Sequence, residues 1–136
     1  MDTWGWLAIV DAGDSLHDDV VRLRRQDEQE GRIWVTTDYV LDEAITRTFT
    51  LGAFSIIAKF WQGVFQARDA GLLVIEAITP ERFAKAYQLR LRYRDKPRIS
   101  FTDFTSFVVM KELGLHRVLT ADAHFVQVGM GLERVP

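Results

Sequence analysis

The chain of 136 residues contains no cysteine and only three prolines. The absence of cysteine excludes disulfide bonds, thiol catalysis and a zinc site built on cysteine ligands. No apolar run reaches the length of a membrane span, and Asp2 directly after Met1 is not typical of a secretory signal segment. We therefore expect a cytoplasmic protein without membrane attachment.

A strong excess of one charge is also missing, because 17 Lys and Arg residues oppose 19 Asp and Glu residues. A protein that held nucleic acid over its whole surface would be more basic. Any nucleic-acid contact must therefore use a local basic patch or bound metal ions. The length and the ordinary hydrophobic content indicate one globular domain over residues 1–136.

Helical and strand patterns alternate along the chain. The spacing predicts helices from Asp14 or Ser15 to 30, from 38 to a break at Gly52, over 54–70, over 80–93 with Thr79 as cap, and from a cap at Thr102 to 113. Strands are expected at 32–36, 72–75, 116–120 and 132–135. Such alternation predicts an α/β fold, a three-layer α/β/α sandwich with a central, mainly parallel sheet.

Acidic residues stand near the ends of these elements, where sites form in parallel sheets. Asp122 follows the strand at 116–120, and Asp103 lies in the first turn of a predicted helix. Each also has an ordinary structural interpretation. Asp122 can cap a short helix, and Asp103 can complement a helix dipole.

Two further carboxylates depend more on their context. Glu43 lies beside the apolar face of its helix, where it can instead pair with Arg47 four residues on. Asp2 can equally belong to a frayed terminus. Four converging carboxylates would repel each other without a cation among them, and Mg²⁺ or Mn²⁺ prefers such oxygen ligands.

Four short motifs stand in order along the chain: DTWGWL at 2–7, VLDE at 40–43, SFTDF at 100–104 and TADAHF at 120–125. In order and spacing they resemble those of PIN-domain ribonucleases, and most of all the VapC-type toxins of toxin–antitoxin pairs. The resemblance covers essentially the whole chain. The last two motifs are the most specific part of it.

This resemblance implies a PIN-like fold with an acidic pocket that binds Mg²⁺ or Mn²⁺ and cleaves RNA. It implies that the catalytic metal ligands are Asp2, Glu43, Asp103 and Asp122, with Thr3 and Thr120 as supporting hydroxyl residues. Metal-bound water would attack the phosphorus and leave a 5′-phosphate and a 3′-hydroxyl. The implied partners are an RNA substrate, a cognate antitoxin protein and a second copy of the chain in a homodimer.

One departure from the family pattern concerns the start of the chain. Members usually carry several apolar residues ahead of the first Asp, as the central strand, whereas only Met1 precedes Asp2. We expect either a late chain start or a shortened first strand. A rival interpretation makes 6–10 the first strand and places Asp11 and Asp14 at its exit. The family pattern makes 6–10 a helix instead.

A basic segment and an aromatic helix each have two interpretations. Seven basic residues lie between 82 and 98, and Arg92, Arg94 and Arg98 are candidates for an RNA-binding rim. The alternative is a solvated helix face. The aromatic positions of 54–65 are more typical of core packing than of a groove for an antitoxin. The histidines His17, His116 and His124 are too scattered to predict a zinc site.

Two functions of different classes follow from these patterns. The first is a metal-dependent endoribonuclease that acts as the toxin of a toxin–antitoxin pair. The alternative is a non-catalytic PIN-like binding or scaffold module with an impaired metal site, which the short first strand motivates. A third interpretation, a flap- or phosphatase-like nuclease, is disfavoured by the small size of the chain.

Overall fold

A computed structural model describes residues 1–136 and contains seven helices and four short strands. The helices are α1 (Thr3–Val10), α2 (His17–Gln29), α3 (Asp38–Thr48), α4 (Phe54–Asp69), α5 (Pro80–Arg92), α6 (Phe101–Leu113) and α7 (His124–Gln127). The strands are β1 (Trp34–Thr37), β2 (Leu73–Glu76), β3 (Arg117–Leu119) and β4 (Glu133–Val135). The predicted α/β class with parallel strands is confirmed. No helix combines the length and the apolar character that crossing a membrane requires.

The four strands form two parallel pairs rather than one continuous sheet. In the first pair β1 lies beside β2, with Trp34 opposite Leu73. In the second pair β3 lies beside β4, with Arg117 opposite Glu133. The single central sheet that the alternation predicted is therefore divided, and the three-layer sandwich stays a prediction.

The first two residues lie between these pairs. The Met1 nitrogen donates to the carbonyl of Val35 at 2.7 Å, and the Asp2 amide donates to the carbonyl of Leu119 at 3.2 Å. The hydroxyl of Thr36 donates to the Met1 carbonyl at 3.2 Å. Met1 and Asp2 thus form a two-residue bridge from β1 to β3.

Apolar side chains are buried in two main clusters. One joins α5, α6, β3 and α7 around the rings of Phe104, Phe107 and Phe125. The other joins α1, α3, α4 and β2 around Trp6 and Trp61, whose ring centroids are 5.5 Å apart. The two clusters fix α1, α3, α6 and α7, and each candidate acid lies on one of these helices or just before it.

The predicted N-cap of α5 is confirmed, and the predicted N-cap of α2 is wrong. Thr79 caps α5 and accepts from the third amide of the helix, with Pro80 in the first turn, as predicted. The helix α2 begins after Leu16, and neither Asp14 nor Ser15 caps it. The reason is that the carboxylate of Asp14 accepts from the amide of Leu16 and the indole of Trp4 instead.

Other boundaries differ by a few residues. β1 begins at Trp34 and not at 32, because the backbone and side chain of Arg32 both turn towards Asp27. α3 ends at Thr48, before the predicted break at Gly52. Residues 6–10 lie within α1, so the rival first strand is wrong.

Candidate active site

Asp2 is the most buried of the four candidate carboxylates, with 7% of its surface exposed. It caps α1, because Oδ1 accepts from the amide of Gly5 at 3.1 Å, while Oδ2 accepts from the hydroxyl of Thr120. Burial raises the pKa of Asp2 from 3.8 to about 6, although these hydrogen bonds act against the increase. The side chain is held firmly, and its negative charge is costly without a cation.

Thr120, directly after β3, connects Asp2 to Asp122. Its hydroxyl donates to Asp2 and accepts from the amide of Asp122 at 2.9 Å. The carboxylate of Asp122 then accepts from the amide of His124 at 2.8 Å and lies 3.1 Å from the His124 Nδ1 atom. Asp122 was expected to cap a short helix. Its carboxylate instead closes a turn with the amide of His124, directly before α7.

Asp103 lies in the first turn of α6, where it forms a reciprocal pair with Ser100. The Ser100 hydroxyl accepts from the Asp103 amide at 3.0 Å, and the Asp103 Oδ2 atom accepts from the Ser100 amide at 3.0 Å. Thr102 was the wrong cap, because the capping box requires the three-residue spacing of Ser100 and Asp103. Burial raises the pKa of Asp103 above its ordinary value, and the charges of Asp122 and Glu43 raise it further.

Glu43 on α3 serves two partners. Its Oε2 atom accepts from the hydroxyl of Thr3 at 3.0 Å, and its Oε1 atom accepts from Arg47 at 3.2 Å. The helical pair with Arg47 is therefore present, as its structural interpretation predicted. It does not remove Glu43 from the site, because Thr3 directly follows Asp2 and its hydroxyl holds the other carboxylate oxygen.

The four carboxylates come from four separate parts of the chain, and two of them respond to the charges of the others. The charge of Asp103 raises the pKa of Asp2, and those of Asp122 and Glu43 raise the pKa of Asp103. No three Asp, Glu or His side chains stand in an arrangement that could hold a metal ion. The donors nevertheless fit Mg²⁺ or Mn²⁺ chemically, because all are carboxylate oxygens, and a nearby cation would favour the charged forms of Asp2 and Asp103, whose pKa burial raises.

Some basic side chains of the predicted rim bond to other groups of the chain, and others are exposed. Arg82 and Lys85 form ion pairs with Glu76 and Glu112, and Arg90 donates to backbone carbonyls. The remaining arginines lie exposed on and after the end of α5, ahead of the helix that carries Asp103; they are Arg92, Arg94 and Arg98.

The aromatic helix α4 is divided between core and surface. Ile57 and Trp61 are buried, as core packing predicted, whereas Phe54 is 75% exposed. A groove of about 570 Å³ runs between α3 and α4, with Phe49 and Phe65 in its wall. Core packing is therefore confirmed for Ile57 and Trp61, and a groove for an antitoxin stays a prediction.

Two contacts that fix the candidate acids were not predicted from the sequence, those of Ser100 with Asp103 and of His124 with Asp122. The signal for Ser100 was present, because Ser followed three residues later by an acid is the spacing of a capping box. His124 contacts Asp122 through both its amide and its ring. A side chain two positions along a loop has no periodic signal, so this contact needed the structure.

Comparison with known proteins covers nearly the whole chain. A family model described as PIN domain matches residues 1–130. The 23S rRNA-specific endonuclease VapC20 of Mycobacterium tuberculosis, from strains CDC 1551 and H37Rv, is 27% identical over 129 residues, which span 95% of this chain and 92% of that protein. The crystal structure of M. tuberculosis VapC20, named as a Sarcin-Ricin loop cleaving toxin, superposes with a TM-score of 0.79 and 25% identity. That superposition covers 94% of this chain and 92% of VapC20.

Proposed function

Because the chain belongs to the PIN-domain family, we propose that it is a metal-dependent endoribonuclease and the toxin of a toxin–antitoxin pair. The observation that carries the proposal is the grouping of four carboxylates from separate parts of the chain, where Thr120 bonds to both Asp2 and Asp122 and Thr3, next to Asp2, bonds to Glu43. Asp103 is at its centre, since it affects Asp2 and is affected by Glu43 and Asp122. Acids such as Asp2 and Asp103, whose pKa is raised by burial and by a neighbouring acid, are typical of a functional site.

The proposed ligands of Mg²⁺ or Mn²⁺ are Asp2, Glu43, Asp103 and Asp122. The ion, when bound, would supply a water nucleophile at neutral pH and a positive charge against the phosphate oxygens. The chain's own residues fix the ligands. Thr120 holds Asp2 and Asp122, Thr3 holds Glu43, and Ser100 holds Asp103.

Two of the proposed ligands are more exposed than Asp2. The side chains of Glu43 and Asp122 are each 39% exposed, whereas Asp2 is buried and bonded on both oxygens. Asp2 therefore acts as the fixed point of the site. To share an ion with Asp2, Glu43 would turn from Thr3 and Arg47, and Asp122 from His124, because the carboxylates are not yet arranged around one point.

The proposed substrate is RNA, with ribosomal RNA as the first to test because the similar VapC20 is named for 23S rRNA. The exposed Arg92, Arg94 and Arg98 would attract its phosphates to the acidic site. The remaining partners in the proposal are a cognate antitoxin protein and a second copy of the chain. Cytoplasm, where such RNA is found, is the proposed location.

The decisive experiment compares the chain with its Asp103→Asn variant on RNA in the presence of Mn²⁺. We expect cleavage to be lost while the circular dichroism spectrum stays unchanged, because the amide keeps the size of the side chain and an acceptor for the Ser100 amide. The Asp11→Asn variant is a matched control, since the carboxylate of Asp11 bonds within its own turn. Full cleavage by Asp103→Asn would overturn the assignment.

A non-catalytic PIN-like module remains the second candidate, because no three acidic or histidine side chains are arranged around a common point. Calorimetric titration separates the two candidates. Binding of Mn²⁺ that disappears in the Asp103→Asn variant supports the enzyme, and heat equal to that of the buffer alone supports the module.

A further inference from the structure

The strand β4 fixes the backbone of the segment that leads from β3 to Asp122. The carbonyl of Val135 accepts from the amide of Thr120 at 3.1 Å. One residue earlier in β4, the Nη1 atom of Arg134 donates to the carbonyl of Ala121 at 3.0 Å. Two consecutive residues of β4 therefore hold two consecutive residues of this segment.

The bond from Arg134 places its guanidinium group beside the candidate acid Asp122. The carbonyl of Ala121 belongs to the same peptide unit as the amide of Asp122, and that amide donates to the hydroxyl of Thr120. With a bond of 3.0 Å to this carbonyl, Nη1 lies no more than about 6 Å from the Cα atom of Asp122, at ordinary peptide dimensions. A positive charge thus lies at the edge of the group of acids.

No acid of the chain neutralises the charge of Arg134. Other arginines close to buried or candidate acids are paired, as Arg47 is with Glu43 and Arg32 is with Asp27. The side chain of Arg134 takes part in none of the ion pairs, and its one hydrogen bond goes to a backbone carbonyl. Since the residue is also exposed, its charge is available to an anion from outside the chain.

The geometry of the bond leaves one edge of this guanidinium group unused. A guanidinium carries five N–H groups in a rigid plane. Because the bond to Ala121 uses Nη1, the edge formed by Nε and Nη2 keeps its N–H groups for another acceptor. Two parallel N–H groups of such an edge match two oxygens of a phosphate.

This anchoring distinguishes Arg134 from the arginines of the predicted rim. Arg92, Arg94 and Arg98 are exposed, and their side chains make no hydrogen bond that would fix their direction. Such charges can attract RNA from a distance. A guanidinium already held on a carbonyl loses less conformational entropy when an anion binds, so it is suited to hold one phosphate at a fixed place.

We propose that Arg134 binds a phosphate of the RNA strand through its Nε and Nη2 groups, next to the scissile bond. The inference rests on the proposed nuclease function and adds to it a substrate-binding residue outside the four carboxylates. In this role Arg134 holds the substrate rather than the metal ligand, because Asp122 is also fixed by its bonds to Thr120 and His124.

The test replaces Arg134 by methionine, which keeps an unbranched stem, and by lysine, which keeps the charge without the planar edge. Binding of a fluorescent fragment of ribosomal RNA is measured by anisotropy in Ca²⁺ at several salt concentrations, and its cleavage is measured in Mn²⁺. Calorimetry gives the Mn²⁺ affinity of each variant, and circular dichroism shows that each is folded.

We expect Arg134→Met to raise Kd and KM about tenfold, because a charge-assisted pair of hydrogen bonds is lost. The dependence of log Kd on log salt should decrease by about 0.7, the value for one phosphate contact with a single strand. Cleavage at saturating RNA and Mn²⁺ affinity should change by less than about twofold. Arg134→Lys should keep the salt dependence and lose only about threefold in affinity, because it keeps the charge.

Arg25→Met is the matched control, since Arg25 is also exposed and its side chain is also outside the ion pairs. It lies two positions ahead of Asp27, which contacts Arg32 and Arg117 near the starts of β1 and β3. Those starts are the opposite edge of the strands from Asp122. The control should therefore leave Kd, KM and the salt dependence unchanged.

The outcomes separate this inference from the nuclease function on which it rests. Equal Kd values for Arg134→Met and Arg25→Met would overturn the inference, while cleavage by the unaltered chain still supported the nuclease. A loss of Mn²⁺ affinity without a change in salt dependence would also overturn it, because Arg134 would then only position Asp122. RNA that is bound but never cleaved would contradict the nuclease and leave the Kd values to decide on Arg134. RNA that the unaltered chain does not bind would overturn both.

Discussion

The hydroxyl of Thr120 donates a hydrogen bond to the carboxylate of Asp2, across 118 positions of the sequence. The same oxygen accepts from the amide of Asp122 at 2.9 Å. One side chain at the end of β3 therefore sets the separation of the first and the last candidate acid. Residues far apart in the sequence thus meet at this hydroxyl.

Replacement of Thr120 by valine keeps the shape of the side chain and removes this link. We expect a loss of about 1–3 kcal/mol in the free energy of unfolding, because a buried carboxylate loses a donor. We further expect Mn²⁺ affinity and RNA cleavage to fall by about 10- to 100-fold, the usual effect of removing a group that orients a metal ligand. Urea unfolding, calorimetry and a cleavage assay measure the three quantities.

The Thr48→Val variant is the control for that experiment. Thr48 is also fully buried, and its hydroxyl also makes two kinds of bond, to backbone carbonyls of α3 and from the indole of Trp61. It touches none of the candidate acids. We expect a similar loss of stability with unchanged Mn²⁺ affinity, and equal effects of both variants on that affinity would contradict the role of Thr120.

The extent to which sequence predicts this molecule depends on how local each feature is. The start of α5 follows from the adjacent Thr79 and Pro80, and the end of α6 from Gly114, whose φ of 65° suits glycine. The division of the sheet could not be predicted from the sequence, because it depends on how residues far apart in the chain meet. Arg32 is drawn from β1 to Asp27 for the same kind of reason.

The candidate acids show the same limit. The motif around Asp103 predicts a helix start and the residue's placement in its first turn. Its effect on Asp2 and its response to Glu43 arise only when α1, α3 and α6 pack together. Periodicity carries no information on the distances between acids that lie on different helices. Only the family resemblance therefore grouped the four acids.

The stability of the chain that begins at Met1 should pass through a minimum near pH 6. Burial raises the pKa of Asp2 from 3.8 to about 6, so the folded state binds more protons and stability falls as pH rises across that range. Burial lowers the pKa of the Met1 amino group from 8.0 to about 6, so the unfolded state binds more protons and stability rises from there to about 8.

Urea unfolding at a series of pH values measures this profile. In the Asp2→Asn variant the decrease in stability below pH 6 should be much smaller. The part that remains is assigned to Asp103, whose pKa is also raised by burial. In an N-terminally acetylated chain the increase in stability between pH 6 and about pH 8 should be absent. A wild-type profile that increases steadily from pH 4 to pH 6 would contradict the raised pKa of Asp2.

Reversal of charge at Arg92 and Arg94 tests the basic rim. If these exposed arginines attract RNA, the Arg92→Glu and Arg94→Glu pair should raise KM about tenfold, leave kcat nearly unchanged and reduce the dependence of binding on salt. The same reversal at Arg22 and Arg25 is the control, because both are exposed on α2 and give an equal change of net charge. Equal KM values for the two double variants would contradict a role of Arg92 and Arg94 in RNA binding.

Gly5 brings α1 against the end of β3. A Cβ atom at this position would lie 2.2 Å from Cδ2 of Leu119 and 2.7 Å from Cγ of Met1. Leu119 is only 3% exposed and has little room to move away. We therefore expect Gly5→Ala to cost about 1–3 kcal/mol in the free energy of unfolding, as overpacking does.

The control for Gly5→Ala is Gly63→Ala in the interior of α4, where nothing lies within 4 Å of the added atom. There alanine should stabilise by up to about 1 kcal/mol through its higher helix propensity.

The amide of Gly5 also donates to Asp2, so a displaced α1 moves the fixed ligand of the proposed site. Cleavage by Gly5→Ala should therefore fall even at temperatures where the variant remains folded. A variant that is destabilised but fully active when folded would show that Asp2 does not need the capping position for catalysis.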